Sequence, residues 1–367
     1  MAVSRINEAG LNVNQYGNRN IIINGGMDVC QRSTSVTGLG TAETYFVQDR
    51  YKLSLGDASA GRLTATKETT DVPDGFGSAM KLACTTADTS IAAGEFLGIN
   101  QHIEADACVR TQTGTSSAKQ ITLSFYAKAD STKTYVVQVL NNKHSGYIHN
   151  NRTFTVTSSW QRFTMTFQAD TTADSKFDGD LTTAGFSVTW TLHAGSNYTS
   201  ATLASDWATG VTNRAAGADS FFSATSNTFL LTGVQLEVGD TATDFEHRTF
   251  ADELRRCQRY LSILLRDDEN DDQNIGSVYQ ATRCFIKVFH KVTMRAVPTV
   301  SLVGAIDANL YHNGSAVAAS GINASYPKKD STGLDFTPSS SLTAGNAFHL
   351  DWATSDTQRY VKAEAEL

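Results

Sequence analysis

The sequence predicts a mainly β protein, in which a jelly-roll β-sandwich is followed by one α-helix and a smaller C-terminal β-domain. Only 18% of the 367 residues are charged and only four are Pro, a composition typical of β-rich domains. Segments with alternating apolar residues recur between residues 20 and 238, beginning with residues 20–23, and turn residues separate them. This period of two changes to a helical period once, after Thr249.

The charge balance excludes several classes of function. The formal net charge is −7, and no basic patch is present, whereas nucleic-acid binding needs clustered Lys and Arg to neutralise phosphates. No apolar run reaches the ~18 residues of a membrane span, and the N-terminus lacks the pattern of a signal peptide. We therefore expect no nucleic-acid partner and no membrane insertion.

The five cysteines are widely spaced and include no C-x-x-C pair. We expect free thiols buried in the cores, since free Cys behaves as a small apolar residue, and synthesis in a reducing cytosol. The positions are Cys30, Cys84, Cys108, Cys257 and Cys284.

Four regions follow from the change of period along the chain. Residues 1–19 are polar and Asn-rich, so we expect an N-terminal arm that orders only against a partner. Residues 20–248 form the predicted sandwich, residues 249–266 a linking helix, and residues 267–367 the small β-domain.

The predicted helix has heptad spacing and could assemble subunits. Two interpretations stay open: a seam of about two and a half heptads between copies, or a helix that packs on its own sandwich. The spaced residues are Phe250, Leu254, Cys257, Leu261 and Leu264.

Catalytic motifs are absent from the sequence, which has no H-E-x-x-H, G-x-S-x-G or Walker loop, so we expect no enzyme. The alternate acids after the helix, Asp268 and Asp272 with Asn270 between them, favour a solvated loop. A loose cation site is the alternative, because the glycine and glutamate of an EF-hand loop are missing.

Aromatic residues are the candidates for ligand binding. Trp160 and Trp190 lie in apolar alternation and are expected in the core. Tyr147, Tyr198 and Trp207 lie in stretches rich in Gly, Ser, Asn and Asp, where loops are expected, and sugars stack on such rings. These three residues are the predicted glycan-binding candidates.

Several segments, as an ordered set, resemble a recurrent family of tailed-bacteriophage virion proteins. They are NIIINGGMDVCQRS (20–33), DRYKL (49–53), ITLSFYAKAD (121–130), SSWQRFTMTF (158–167) and NTFLLTGVQLEVGDTATDFEHRTFADELRRCQRY (227–260). The resemblance covers about residues 20–300. Members of this family are usually described as tail-fibre or other virion structural proteins with a carbohydrate-binding-like jelly roll.

This resemblance implies a local geometry. The N-G turn at Asn24 should lie close to Val234 and Leu236 in the closing strand, and DFEHR should fix the start of the helix. Related modules often hold a structural calcium, for which Asp28 is the candidate here. Gly233 and Gln235 stand where a last-strand acid would be expected.

The function implied is a structural component of a bacteriophage virion, made in the host cytoplasm and attached through its N-terminal arm to portal, tail or capsid proteins. We expect a homotrimeric fibre or decoration protein with no obligatory cofactor. The alternative is an adhesin that binds a host surface glycan.

Overall fold

The structure is a computed structural model, and it describes residues 18–146, 148–266, 274–352 and 359–367. Contacts within the chain separate it into two compact units, the first ending at Glu253 and the second running from Leu254 to Glu366. The predicted arm falls mostly on residues 1–17, which lie outside the described residues.

The first unit is a jelly-roll β-sandwich of two six-stranded antiparallel sheets. Sheet one has the order β1-β4-β5-β12-β7-β10, and sheet two has the order β2-β3-β6-β11-β8-β9. The strands are β1 (Ser35–Leu39), β2 (Thr44–Tyr45), β3 (Lys52–Leu55), β4 (Arg62–Glu68), β5 (Ala79–Thr86), β6 (Phe96–Glu104), β7 (Ile121–Ala129), β8 (Lys133–Asn141), β9 (Ile148–Val156), β10 (Gln161–Phe167), β11 (Ala184–Ala194) and β12 (Thr228–Val238). This arrangement confirms the predicted fold class.

One apolar core fills the space between the two sheets. Period-two alternation sends every second side chain of β11 inward, so that Phe186, Val188 and Trp190 are all in the core. Trp190 is fully buried and Trp160 is half-buried, with its indole N–H donating to Asp71 Oδ1 at 3.0 Å. The prediction of a core tryptophan is confirmed for Trp190.

The described residues include three short α-helices: α1 (Ala105–Cys108), α2 (Ser196–Thr199) and α3 (Phe250–Gln258). The Thr249 hydroxyl accepts the Asp252 N–H at 3.2 Å, the capping bond expected at a helix start.

The second unit combines a small sheet with a closed barrel. The sheet has the order β13-β21-β16, and the barrel has the order β14-β15-β19-β18-β17-β20. The strands are β13 (Leu261–Arg266), β14 (Asn274–Gln280), β15 (Arg283–Phe289), β16 (Thr299–Val303), β17 (Ala308–His312), β18 (Ser315–Ser325), β19 (Ser331–Pro338), β20 (Ala347–Trp352) and β21 (Tyr360–Glu364).

The predicted helix over residues 249–266 is wrong in its second half. The structure ends α3 at Gln258, and Leu261 and Leu264 lie in β13, where Leu261 pairs with Glu364 of β21. The sequence YLSIL favours a strand once a partner strand can satisfy its backbone, and tertiary pairing overrides helix propensity there. Phe250 is exposed, Leu254 is half-buried and Cys257 is buried, so the five positions form no continuous seam. The homotrimer itself remains a prediction.

The cysteines are free thiols, and four of the five are buried, as expected. Burial raises the pKa of Cys108 to about 12 and that of Cys284 to about 11, so neither is a reactive thiolate at neutral pH.

Leu261→Asp should destabilise the second unit rather than dissociate an oligomer. Leu261 is fully buried, and an unpaired carboxylate there should lower the free energy of unfolding by at least about 3 kcal/mol, measured by urea denaturation. Phe250→Asp is the matched control, since this heptad position is 58% exposed and should change stability little. A folded Leu261→Asp protein that only loses subunits by light scattering would restore the heptad interpretation.

Candidate functional site

The first residues of the sandwich lie against its last strand. Ile21 N–H donates to Leu236 O at 3.0 Å, and Val234 N–H donates to Gly25 O at 2.9 Å, which confirms the predicted closeness of the N-G turn and the closing strand. A Cβ on Gly25 would stand 2.1 Å from Val234 O, so only glycine permits this approach. Residues 20–23 are therefore held by β12, although they form no strand of their own.

Asn20 makes the central side-chain contacts of this region. Its Nδ2 donates to Val234 O at 3.0 Å, and its Oδ1 accepts the N–H groups of Ile22 and Leu236 at 3.0 and 3.1 Å. The side chain is 4% exposed, so all of these bonds are shielded from water. The Asn20 side chain thus provides hydrogen bonds between residues 20–22 and β12 that paired strands would make through their backbones.

The segment after β12 closes over the same residues. Glu246 accepts the backbone N–H of Asn20 at 2.7 Å, and Glu253 of α3 accepts that of Asn24 at 2.6 Å. Arg248 donates to Ile22 O at 3.1 Å and to Glu253 at 3.4 Å. We call residues 18–26 and 244–253 the clamp; its contacts confirm that DFEHR fixes the start of the helix.

The residues around Asp28 do not match a calcium site. Ser78 donates to Asp28 Oδ1 at 2.7 Å, and the Lys67 ammonium donates to the Asp28 carbonyl at 2.5 Å. Calcium takes six to eight oxygen ligands, and an ammonium beside the would-be ion repels it. Gln235 bonds to Glu237, and no cluster of three His, Cys, Asp or Glu occurs among the described residues. Asp268, Asn270 and Asp272 lie outside them.

The outer face of sheet two is polar across its width. The strand register aligns one outward residue from each of five neighbouring strands, opposite the inward Val188 and Trp190. We call this set the polar row: Lys52, Asn100, Thr189, Gln138 and Asn151. Neighbouring strands lie ~4.8 Å apart, so the row extends about 19 Å across the sheet.

Several buried atoms in the polar row have unused hydrogen-bonding capacity. Asn100 Nδ2 donates to Thr189 Oγ1 at 2.9 Å, but Asn100 Oδ1 has no partner among the described residues. Gln138 Nε2 and Asn151 Oδ1 also have no hydrogen-bond partner within the described residues. A buried polar atom without a partner costs about 1–3 kcal/mol, so such groups commonly bind water or ligand.

The long segment from 195 to 220 crosses part of this face, and we call it the cover segment. Asn151 N–H donates to Ala204 O at 3.0 Å, and Arg214 Nη2 donates to Gln138 Oε1 at 2.8 Å. Arg214 also lies over the ring of Phe96, 5.7 Å from its centre, and burial lowers the pKa of its guanidinium. Arg214 therefore contacts both the polar row, through Gln138, and the ring of Phe96.

Two histidines border the polar row. His102 Nδ1 lies 2.6 Å from Ser187 Oγ, and burial, with Arg50 and Lys52 nearby, lowers the pKa of His102 to about 4. His193 is fully buried, with Nε2 2.9 Å from Glu95 and Nδ1 2.8 Å from Ser220 of the cover segment. The first ring stays neutral at physiological pH, and the second ties the cover segment to the sheet.

Of the three predicted glycan-binding aromatic residues, the two that the structure describes lie in different parts of the sandwich. Tyr198 lies over Phe96 on the outer face of sheet two, with ring centres 5.1 Å apart. Trp207 stacks on Phe186 at 6.1 Å and donates its indole N–H to Gln168 O at 2.7 Å. Phe96 pairs with Ala194, eight residues beyond Phe186 along β11, which is a distance of ~26 Å. Tyr147 lies outside the described residues, and the glycan-contacting role of all three remains a prediction.

Sequence reasoning missed the polar row, although a signal was present. In FSVTWTLH, the polar residues Ser187, Thr189 and Thr191 alternate with apolar ones, which indicates that the outer face of β11 is polar. The path of the cover segment and the alignment of Asn100, Thr189 and Gln138 depend on how distant strands pair. No short stretch of sequence predicts them.

No helix in the described residues is long and apolar enough to cross a membrane.

No protein-family model and no curated protein sequence matches the chain. A solved structure described as a CBM4 module is 17% identical, covers 59% of this chain and 97% of its own, and has a TM-score of 0.30. A family 11 carbohydrate-binding module of Clostridium thermocellum, in complex with a β-1,3-1,4-mixed-linked tetrasaccharide, is 13% identical over 58% of this chain and 98% of its own, with a TM-score of 0.28.

A third solved structure is the enzymatically active domain of tailspike protein 4 of bacteriophage CBA120. It is 12% identical, covers 60% of this chain and 21% of its own, and has a TM-score of 0.29. Similarity at this level does not extend to function, and the sandwich is established by the strand pairing described above.

Arg248→Ala should loosen the clamp and destabilise the first unit. The substitution removes donors from two backbone carbonyls and leaves the Glu253 carboxylate without its cation, which should lower the free energy of unfolding by about 2–3 kcal/mol in urea denaturation. Lys119→Ala, an exposed change away from the clamp, is the control. Equal stability of the two variants would show that the clamp does not stabilise the sandwich.

Proposed function

We propose that this chain is a structural component of a bacteriophage virion, a fibre or decoration protein attached through the segment that precedes the clamp. The observation that carries this proposal is the convergence of the segments that resemble phage virion proteins. NIIINGG is far in the sequence from GVQLEVG and DFEHR, yet all three segments meet in one network of hydrogen bonds. The segments that resemble the phage family therefore form one structural unit in this chain.

The clamp suits such a role because it fixes both places where the chain leaves the sandwich. Asn18 N–H and Asn20 N–H donate to the two carboxylate oxygens of Glu246, and Glu253 lies at the boundary with the second unit. A fibre component needs a defined joint between the attached segment and the projecting domains. In this role the chain is located on the virion and acts through binding rather than catalysis.

Immunogold labelling of particles should locate the protein on the tail or capsid. A chain lacking residues 1–17, which retains the whole described clamp, should keep the melting temperature of the full-length protein but be absent from particles by mass spectrometry. The full-length chain supplied in the same way is the control. Incorporation of the shortened chain at normal occupancy would place the attachment elsewhere.

The half-buried ring and cation at the outer face of sheet two favour a second function, the binding of a host surface glycan. Asn100 Oδ1 and Gln138 Nε2 of the polar row are buried, so a sugar at this face would contact the half-buried Tyr198 and Arg214. Tyr198 and Arg214 lie at the same face, where a ring and a cation can complete such a site.

A microarray of bacterial surface glycans, followed by calorimetry, tests this second function. Arg214→Leu should weaken binding by about 1–2 kcal/mol, because it removes the cation at this face, and Tyr198→Ala should weaken it by about 1 kcal/mol, because it removes the ring. Trp207→Ala is the comparator, since that ring contacts the far end of β11. Unchanged binding in Arg214→Leu and Tyr198→Ala would exclude this face as the glycan site.

A further inference from the structure

Arg214 of the cover segment packs on an aromatic ring at the outer face of sheet two. Phe96 and Gly98 point outward from β6, because Leu97 and Ile99 are in the core. A Cβ on Gly98 would stand 3.1 Å from Phe96 Cε1, so the ring of Phe96 lies close over this glycine. The Arg214 guanidinium lies 5.7 Å from the centre of the same ring. The cation is thus held against an apolar surface rather than in open water.

The charge of Arg214 has no counter-ion in the described part of the chain. Its guanidinium donates to the neutral amide of Gln138 and makes no ion pair with any described residue. Arg248 and Arg283, by contrast, lie 3.4 Å and 2.7 Å from a carboxylate oxygen. Burial lowers the pKa of the Arg214 guanidinium, which is the direction expected of a cation that no carboxylate stabilises. A half-buried cation is usually paired with an acid, and Arg214 is an exception.

The acidic residues that border this face bond to other groups. They are Glu43, 2.6 Å from Lys52, Glu95, 2.9 Å from His193, and Asp219, which accepts the Thr134 N–H at 2.7 Å. The local charge around Arg214 is therefore positive, although the formal net charge of the chain is −7.

Two groups beside the ring of Phe96 keep hydrogen-bonding capacity. A guanidinium carries five N–H groups, and the bond to Gln138 uses one, so four remain. The Tyr198 ring lies 5.1 Å from that of Phe96, and the Tyr198 hydroxyl makes no hydrogen bond with the residues that the structure describes. Both side chains are half-buried, so each also reaches solvent. A cation and a hydroxyl, both able to donate, therefore lie beside one ring.

The contacts that Arg214 makes do not require its charge. The bond to Gln138 and the packing on Phe96 use the length of the side chain and one N–H group. A guanidinium bonds strongly to carboxylate and phosphate oxygens, which would supply the missing counter-ion. On the basis of the glycan-binding function proposed for this face, we propose that the ligand is an acidic glycan. Its carboxylate or phosphate group bonds to Arg214, while a pyranose ring packs on Tyr198.

The two side chains then have different roles in recognition. Tyr198 contributes to the binding of any sugar, because every pyranose has an apolar face. Arg214 contributes more to a charged sugar than to a neutral one and so selects between them.

Calorimetry of the full chain with matched hexasaccharides separates charge from shape. The ligands contain glucuronate, galacturonate or mannuronate, and each is compared with its carboxyl-reduced form, in which neutral hexose replaces hexuronate. The acidic form should bind about tenfold more tightly or better, and added NaCl should weaken only that form. A phosphorylated mannose hexasaccharide, before and after phosphatase treatment, tests phosphate in the same way.

Variants assign the preference to Arg214. Arg214→Leu should bind the acidic and reduced forms equally, and Arg214→Lys should keep part of the preference, because lysine keeps the charge but lacks the planar fork. Tyr198→Ala should weaken both forms to the same extent. Arg162→Leu removes an exposed arginine from sheet one, changes the net charge equally and should leave the preference intact. If Arg214→Leu fails to fold, the ligand comparison on the unmodified chain still decides.

The possible failures are distinguishable. Equal affinity of the unmodified chain for the charged and neutral forms of every hexasaccharide would overturn this inference and leave the glycan-binding function standing. No binding of any hexasaccharide would overturn both. A preference for the acidic form that survives in Arg214→Leu, or that is lost equally in Arg162→Leu, would show that Arg214 does not recognise the charge.

Discussion

The side-chain amide of Asn20 is the constraint on which the rest of the first unit depends. It bonds to Val234 O, Ile22 N and Leu236 N in a place where no strand ladder exists. Residues 20–25 and the segment after β12 would otherwise bury backbone groups without partners. Four side chains supply hydrogen-bond partners for those backbone groups, so the irregular ends of the sandwich are held without a strand ladder. They are Asn20, Glu246, Arg248 and Glu253.

The two faces of sheet two are consequences of one alternation. Each strand that sends Trp190 or Val188 into the core must send Thr189 to the other side, and the antiparallel register then aligns Thr189 with Asn100 and Gln138. The core needs apolar side chains at the inward positions, which leaves the outward ones free to carry a row of amides and hydroxyls. Alternate residues of the same strands therefore determine the packing of the core and the chemistry of the outer face of sheet two.

The sequence predicts the sandwich, the closing strand and the contact of the N-G turn with it, because period-two alternation and glycine placement are local signals. It does not predict the end of α3, since the residues of β13 continue the helical spacing by coincidence and become a strand only when β21 pairs with them. Strands β18 and β19 were also missed: SAVAASGINAS has few large apolar residues, and STGLDFTP is buried at nearly every position. The polar row needs the register of five strands, which is not a property of a local segment.

The clamp also determines how the sandwich responds to tension. A force applied at Asn18 and at Glu253 acts on two segments that are bonded directly to each other, through Glu246, Arg248 and Glu253. The same residues 20–25 are bonded to β12, which connects the clamp to sheet one. A pull at these two points would therefore act first on the clamp, and its extension would break the Asn20 bonds to β12 and weaken the sandwich itself.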